Sequence, residues 1–209
     1  MHQIFQQQAD HNIKFASKQG FTMSDLALIM ALPNESKGLF EQAGVQVHYS
    51  GIGKVNAAFK AFDVIQKTGC KTLLNLGSAG SSQFDAHALV EVTTFVQRDM
   101  DVSPLGFAVG VTPMDDDHPA EIHLEAYFPH LEKGICGTGD SFETGIPKVP
   151  CDLVDMEGYA IAKVCKKLGV RLISVKYITD GANDTAHLDW EENLLLGAQK
   201  LLKLYQTVK

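Results

Sequence analysis

Arginine is almost missing from this chain: Arg98 and Arg171 are the only two in 209 residues. Guanidinium forks are the usual means of gripping a phosphate from two sides, so such recognition is the exception here. Basic residues are outnumbered as well, 18 lysines and arginines against 25 acids, for a formal charge of −7. A surface of that sign has no general attraction for nucleic-acid backbones or anionic membranes. No apolar run approaches the roughly 20 residues of a membrane span. The opening MHQIFQQQADHNIKFASKQGF also lacks the apolar core of a signal peptide. The four cysteines, Cys70, Cys136, Cys151 and Cys165, form no CxxC pair and no zinc-like Cys/His spacing. Three of them lie in apolar stretches and read as small buried hydrophobes of a reducing compartment. These absences point to a cytoplasmic protein with no metal, no nucleic-acid partner and no membrane.

What is present is an ordinary folded composition, 45% hydrophobic and 21% charged, in a chain long enough to bury a core without staples. Residues 1–22 are polar, Gln-rich and weakly patterned, and read as an N-terminal extension. Residues 23–209 read as one domain. Apolar runs at 25–32, 71–76 and 171–178 have the look of strands buried on both faces. Shorter strands are expected at 45–50, 89–96, 133–137 and 152–156. Val55, Ala58, Phe59, Phe62 and Ile65 fall at helical spacing within 55–66, and further helices are expected at 158–168 and 189–207. The stretch 99–123, rich in Pro, Gly and Asp, reads as a functional loop. Strands alternating with helices predict an α/β fold with a mostly parallel sheet.

Several familiar motifs fail on inspection. Gly51-Ile52-Gly53 opens like a dinucleotide fingerprint, but Asn56 stands where the third glycine belongs. Lys54 hints at a P-loop, yet His48 occupies its first glycine position and Val55 its hydroxyl position. No G-x-S-x-G nucleophile elbow occurs. Asp115, Asp116, Asp117 and His118, with Glu121 and His123, form an acidic loop that reads as solvated, since nothing directs those side chains toward one point.

What remains is a repeated position. Each core strand ends at a polar residue beside a small one: Glu35 after DLALIMALPN, Ser78 after LLNLG, Glu157 after LVDM, Asp180 after SVKYIT. In an open α/β sheet the carboxyl ends of the strands form the ligand crevice. Taken singly, the three acids are explained as residues favoured at helix N-termini, and Ser78 as a turn residue. Four in equivalent positions favour a site.

Six short motifs occur in order: AlaLeuProAsnGlu (31–35), GlyIleGlyLysValAsnAla (51–57), AsnLeuGlySerAlaGly (75–80), GlyThrGlyAspSerPhe (137–142), AspMetGluGly (155–158) and IleThrAspGlyAla (178–182). Together they resemble the nucleoside phosphorylase/nucleosidase superfamily, and most of all its 5′-methylthioadenosine/S-adenosylhomocysteine nucleosidases. The resemblance runs from Asp25 to the C-terminus. It implies a three-layer α/β/α sandwich around a twisted, mixed, mostly parallel sheet, a homodimer, and no cofactor.

It also implies roles. Asp180 resembles the acid that protonates the purine at N7, Glu35 the residue that positions and deprotonates water, and Ser78 a residue that holds them. Glu157 takes the ribose hydroxyls, with Met156 beneath the sugar. Phe142 stacks on adenine, the Glu143 backbone reads its edge, and Ile52 joins the substrate-binding set. Val102, Leu105 and Pro113 resemble residues that wall the 5′-alkylthio group, some of them given by the partner subunit. Trp190 is either part of that wall or ordinary core.

Such roles fit the reaction, because cleaving an N-glycosidic bond builds positive charge on the ribose and negative charge on the base. Superfamily phosphorylases place arginines at the position of Asn75 and in the loop after the first strand, and this chain has neither. Lys37 or Arg98 would have to replace them, and Glu35 would repel the anion, so water is the favoured nucleophile. A futalosine-type or 5′-deoxyadenosine nucleosidase, a purine nucleoside phosphorylase and a non-catalytic nucleoside binder stay open as alternatives.

Overall fold

A strand sends alternate side chains to opposite faces, and the core strands of this chain are apolar on both. The computed structural model describes residues 25–115, 120–143, 145–180 and 186–208, without the side chains of 180 and 186–192. The expected extension at 1–22 lies outside them. The elements are β1 (Leu26–Met30), α1 (Pro33–Ser36), α2 (Leu39–Gln42), β2 (Val47–Tyr49), α3 (Lys54–Thr68), β3 (Thr72–Gly80) and β4 (Leu89–Gln97). After a 3-10 turn at Ser103–Leu105 come β5 (Glu121–His123), β6 (Glu132–Thr138), β7 (Leu153–Asp155), α4 (Gly158–Leu168), β8 (Arg171–Asp180) and α5 (Ala186–Tyr205).

On one face, Ala27, Ile29 and Leu73 join Ala57, Ala61, Val64 and Ile65 of α3 and Ile161, Ala162 and Cys165 of α4. On the other, Leu28, Met30, Leu74, Leu76, Ile173 and Val175 meet Phe40 of α2 and Leu201, Leu204 and Tyr205 of α5. Two cores on two faces of one sheet make the three-layer α/β/α architecture. Cys70, Cys136 and Cys165 are free and buried.

The sheet is mixed. β1 pairs parallel with β2 and β3, β3 with β8, β4 with β6, and β6 with β7. β3–β7, β4–β5 and β4–β8 are antiparallel. β8 links β3 to β4 on one side, while β7 and β6 link the same two on the other, so the sheet curls into a ring closed through the Gly80–Val154 pairing. That curl brings the carboxyl ends of β3, β7 and β8 together, the place where a site can form. Gly158, at the start of α4, permits a close approach: a Cβ there would lie 2.2 Å from the Phe95 ring.

Four expectations need correction. β3 and β8 run on to Gly80 and Asp180, so Ser78 is a ladder residue rather than a turn residue, and Asp180 a ladder residue rather than one at a helix start. The loop 99–123 ends in the short strand β5. Both single-turn helices, α1 and α2, escape the periodicity because four residues are too few to show it. The apolar stripe assigned to α3 splits: Ile65 is buried, whereas Val55 (80% exposed), Phe59 (73%) and Phe62 (49%) face outward. Small residues, Ala57 and Ala61, face α4 instead, because they let the two helices pack closely.

Candidate active site

Glu35 occupies the only turn of α1 yet is 5% exposed. One carboxylate oxygen, Oε2, accepts the backbone N–H groups of Ala31 (3.0 Å) and Leu32 (3.1 Å). This much is the ordinary use of an acid near a helix start. The other oxygen leaves the helix. Oε1 accepts both the backbone N–H and the hydroxyl of Ser78 on β3, each at 2.8 Å. Gly77 makes room for it, since a Cβ there would stand 3.1 Å from Oε1 and 3.5 Å from the Lys176 ammonium. Four donors therefore fix the carboxylate across two elements.

Glu157 also departs from the helix-cap explanation. It is the N-cap residue of α4, but its side chain does not cap the helix. Asp155 does that work, accepting the Gly158 N–H at 2.9 Å. The Glu157 carboxylate turns to accept the Gly53 N–H at 2.9 Å, and stays 8% exposed. Burial, with the nearby charge of Asp155, pushes its carboxyl up to about 7, only partly countered by Lys176 and the Gly53 N–H.

Beneath these two acids lies a buried ion pair, Lys176–Asp155, at 2.8 Å. Burial opposes the charge on Asp155, yet Lys176, the Thr138 hydroxyl at 2.6 Å and the Gly158 N–H together hold it below the ordinary carboxyl range. The same burial opposes the Lys176 charge, and Asp155 outweighs it, so the ammonium is held above its ordinary range.

A cavity of about 250 Å³ opens over this floor. Of the residues expected at a site, Glu35, Ser78, Glu157, Met156, Phe142, Glu143 and Ile52 line it. Val102, Leu105 and Pro113 are not among its lining residues, and Leu105 is 73% exposed. Asp180 ends β8 opposite Gly80, with its side chain outside the described residues. Trp190 lies on α5, its side chain likewise outside them.

Sequence reasoning missed Asp155 and Lys176, and weighed Arg98 only as a substitute phosphate ligand. Lys176 carried a usable signal, a lone cation inside the apolar strand RLISVKYIT, where burial demands a partner. Asp115 of the acidic loop pairs with Lys163 of α4, while Asp116, Asp117 and His118 lie outside the described residues. Among the described residues no group of three metal-ligating side chains converges. Nor is any helix of them long and apolar enough to cross a membrane.

The Nη groups of Arg98 are taken up by the protein, and Arg171 is remote from the cavity. Arg98 lines the cavity but is 5% exposed, with Nη1 donating to the Ser141 hydroxyl and Glu143 carboxylate, both at 3.0 Å. Its Nη2 donates to the carbonyls of Gly139 and Ser141. Arg171 begins β8, roughly 30 Å of strand from Asp180. Asn75, where a phosphorylase arginine would stand, is buried between β1 and β8, donating to the Ile29 carbonyl and accepting from Ser174.

Comparison with known proteins agrees with this geometry. The family model described as the Phosphorylase superfamily matches residues 36–208. A 5′-methylthioadenosine/S-adenosylhomocysteine nucleosidase of Anoxybacillus flavithermus is 31% identical over 189 residues, covering 81% of this chain and 82% of the relative. An aminodeoxyfutalosine nucleosidase of Campylobacter jejuni is 30% identical over 169 residues, covering 72% and 74%. Among solved structures, the 5′-methylthioadenosine/S-adenosylhomocysteine nucleosidase of Helicobacter pylori with butyl-thio-DADMe-Immucillin-A superposes with a TM-score of 0.79. It shares 23% identity and covers 88% of this chain and 96% of that one. The chain belongs to the phosphorylase superfamily, among its nucleosidases.

Proposed function

We propose that the protein hydrolyses the N-glycosidic bond of an adenine nucleoside with a 5′-thio substituent, 5′-methylthioadenosine or S-adenosylhomocysteine, and releases adenine. The observation that carries this reading is Glu35, an acid that keeps one oxygen on its helix start and has the other locked to Ser78 at the cavity wall. Its four donors fill the lone-pair directions of a carboxylate. Only the Ser78 hydroxyl can rotate away, which frees Oε1 to accept a water proton without disturbing the other three bonds.

As the bond to the base breaks, positive charge grows on the ribose, and Glu35 and Glu157 at the cavity wall supply negative charge to meet it. Glu157, ionised, accepts the ribose hydroxyls over Met156. Asp180 protonates N7 so that the base leaves neutral. Phe142 stacks on adenine, and the Glu143 backbone reads its edge. Water rather than phosphate attacks, since Arg98 is committed to the 139–143 loop, Arg171 stands at the far end of β8, and Glu35 repels an anion.

The exposed Val55, Phe59 and Phe62 form an apolar face beside Ile52 at the cavity. We assign it to a homodimer in which Val102, Leu105 and Pro113 of the partner close the 5′ side. A cytoplasmic place in methionine salvage accords with this substrate class. A second reading, an aminodeoxyfutalosine nucleosidase, is favoured by the Campylobacter relative; it uses the same residues on a larger 5′ group.

Two variants test the reading. Glu35→Gln removes the acceptor of the water proton, and Asp180→Asn the base acid; each is expected to lower kcat by about 10²–10⁴-fold. Unchanged turnover of 5′-methylthioadenosine in either variant removes that residue from the mechanism.

A further inference from the structure

Three backbone segments that border the cavity are tied together by side chains that do not belong to its reacting end. Lys54, at the start of α3, donates its ammonium to Asp99 at 2.6 Å and its backbone N–H to Asp140 at 2.7 Å. The other oxygen of Asp99 accepts the Asp140 N–H at 2.8 Å. One residue before Lys54, the Gly53 N–H holds Glu157. One residue before Asp99, the Arg98 guanidinium grips Gly139, Ser141 and Glu143. The result is a continuous circuit: Glu157, Gly53–Lys54, Asp99–Arg98, then the 139–143 loop that presents Phe142. Phe142 itself is 52% exposed and has no aromatic ring stacked on it among the described residues, so its place depends on the loop beneath it.

We propose that Arg98 and Lys54 are positioning residues for the base-binding loop: they hold Phe142 over the cavity and couple it to the ribose-binding Glu157. The assignment rests on the adenine nucleosidase reading above. It explains why a chain so poor in arginine buries one beside its cavity. A fork with two Nη groups satisfies two carbonyls, a hydroxyl and a carboxylate at once, which an ammonium with three donors cannot do. Fixing the loop before the base arrives removes an ordering cost that would otherwise weaken binding. The carboxylates of the reacting end are untouched, so the effect falls on ground-state binding more than on the bond-breaking step.

The test is a set of variants read by two assays, turnover of 5′-methylthioadenosine and calorimetric binding of adenine. Arg98→Met and Lys54→Met are each expected to raise KM and the adenine Kd by about tenfold, with kcat changed by less than about threefold. Arg98→Lys, which keeps the charge and loses the fork, is expected to fall between wild type and Arg98→Met. In a Phe142→Ala background the effect of Arg98→Met on adenine binding is expected to shrink to the part carried by the Glu143 backbone, because the ring it positions is gone. A merely structural arginine would cost the same in both backgrounds, and that result overturns the proposal. So does wild-type adenine affinity in both Met variants. If Arg98→Met fails to fold, Lys54→Met, at the more exposed site, carries the same comparison. A wild-type protein that binds adenine but hydrolyses nothing refutes the nucleosidase reading, while the adenine Kd of the variants still decides the role of the circuit.

Discussion

Glu157 is a buried acid, and its protonation should be readable in substrate binding. The carboxyl stands at about 7, against an ordinary 4.5, because burial and Asp155 disfavour its charge. That displacement corresponds to roughly 3 kcal/mol of preference for the protonated acid. In the free protein at pH 7 about half the molecules carry the proton, at pH 6 about nine-tenths, at pH 8 about one-tenth. A ribose whose hydroxyls donate to Glu157 selects the ionised form. Binding therefore releases ~0.9 proton at pH 6, ~0.5 at pH 7 and ~0.1 at pH 8. The assay is calorimetric binding of 5′-methylthioadenosine to the slow Asp180→Asn variant, in buffers of different ionisation enthalpy. Adding Glu157→Gln should abolish the release. Without ligand the sign is fixed by the raised value: the folded protein holds the proton longer, so stability falls as pH rises from about 4.5 through 7. The Glu157→Gln variant lacks that slope. No proton release at pH 7, or equal release with and without Glu157→Gln, would mean that the ribose does not select an ionised Glu157.

Gly77→Ala would place a Cβ 3.1 Å from Glu35 Oε1, so kcat should drop by about tenfold or more while circular dichroism stays native; full activity would mean Glu35 tolerates displacement. Lys176→Met strands a buried Asp155 and should cost about 3–5 kcal/mol, read as a fall in Tm of roughly 10 °C. Adding Asp155→Asn should recover most of that loss, and a single variant as stable as wild type would contradict the buried-pair account. If the proposed homodimer forms through the outward face of α3, Phe59→Glu should shift sedimentation toward monomer and raise KM; an unchanged sedimentation profile rules this face out as the interface.

The sheet was legible because its strands are apolar on both faces: DLALIMAL, KTLLNL and RLISVKYI leave no other place for themselves than a covered layer. The four strand-end residues were legible as a set, and the cavity gathers three of them, Glu35, Ser78 and Glu157, together with Met156 and Phe142. What periodicity hid was direction. Val55, Phe59 and Phe62 have the spacing of a buried stripe, but a helix with apolar residues on two sides does not declare which one its own chain covers. The partners of charges were equally hidden. Lys176 and Asp155 are 21 positions apart in sequence and meet only because the sheet curls until β7 and β8 share the floor of the site. Arg98 stands out in the sequence as a scarce cation, but its true acceptors, two of them backbone carbonyls, have no signature there.

In the proposed reaction water, placed by Glu35, is the nucleophile. Incubating the protein with 5′-methylthioadenosine in phosphate-free buffer, and again with phosphate, and identifying the products tests it most directly. Free adenine and methylthioribose in both buffers is the predicted result; adenine with a sugar 1-phosphate, formed only when phosphate is present, would contradict it.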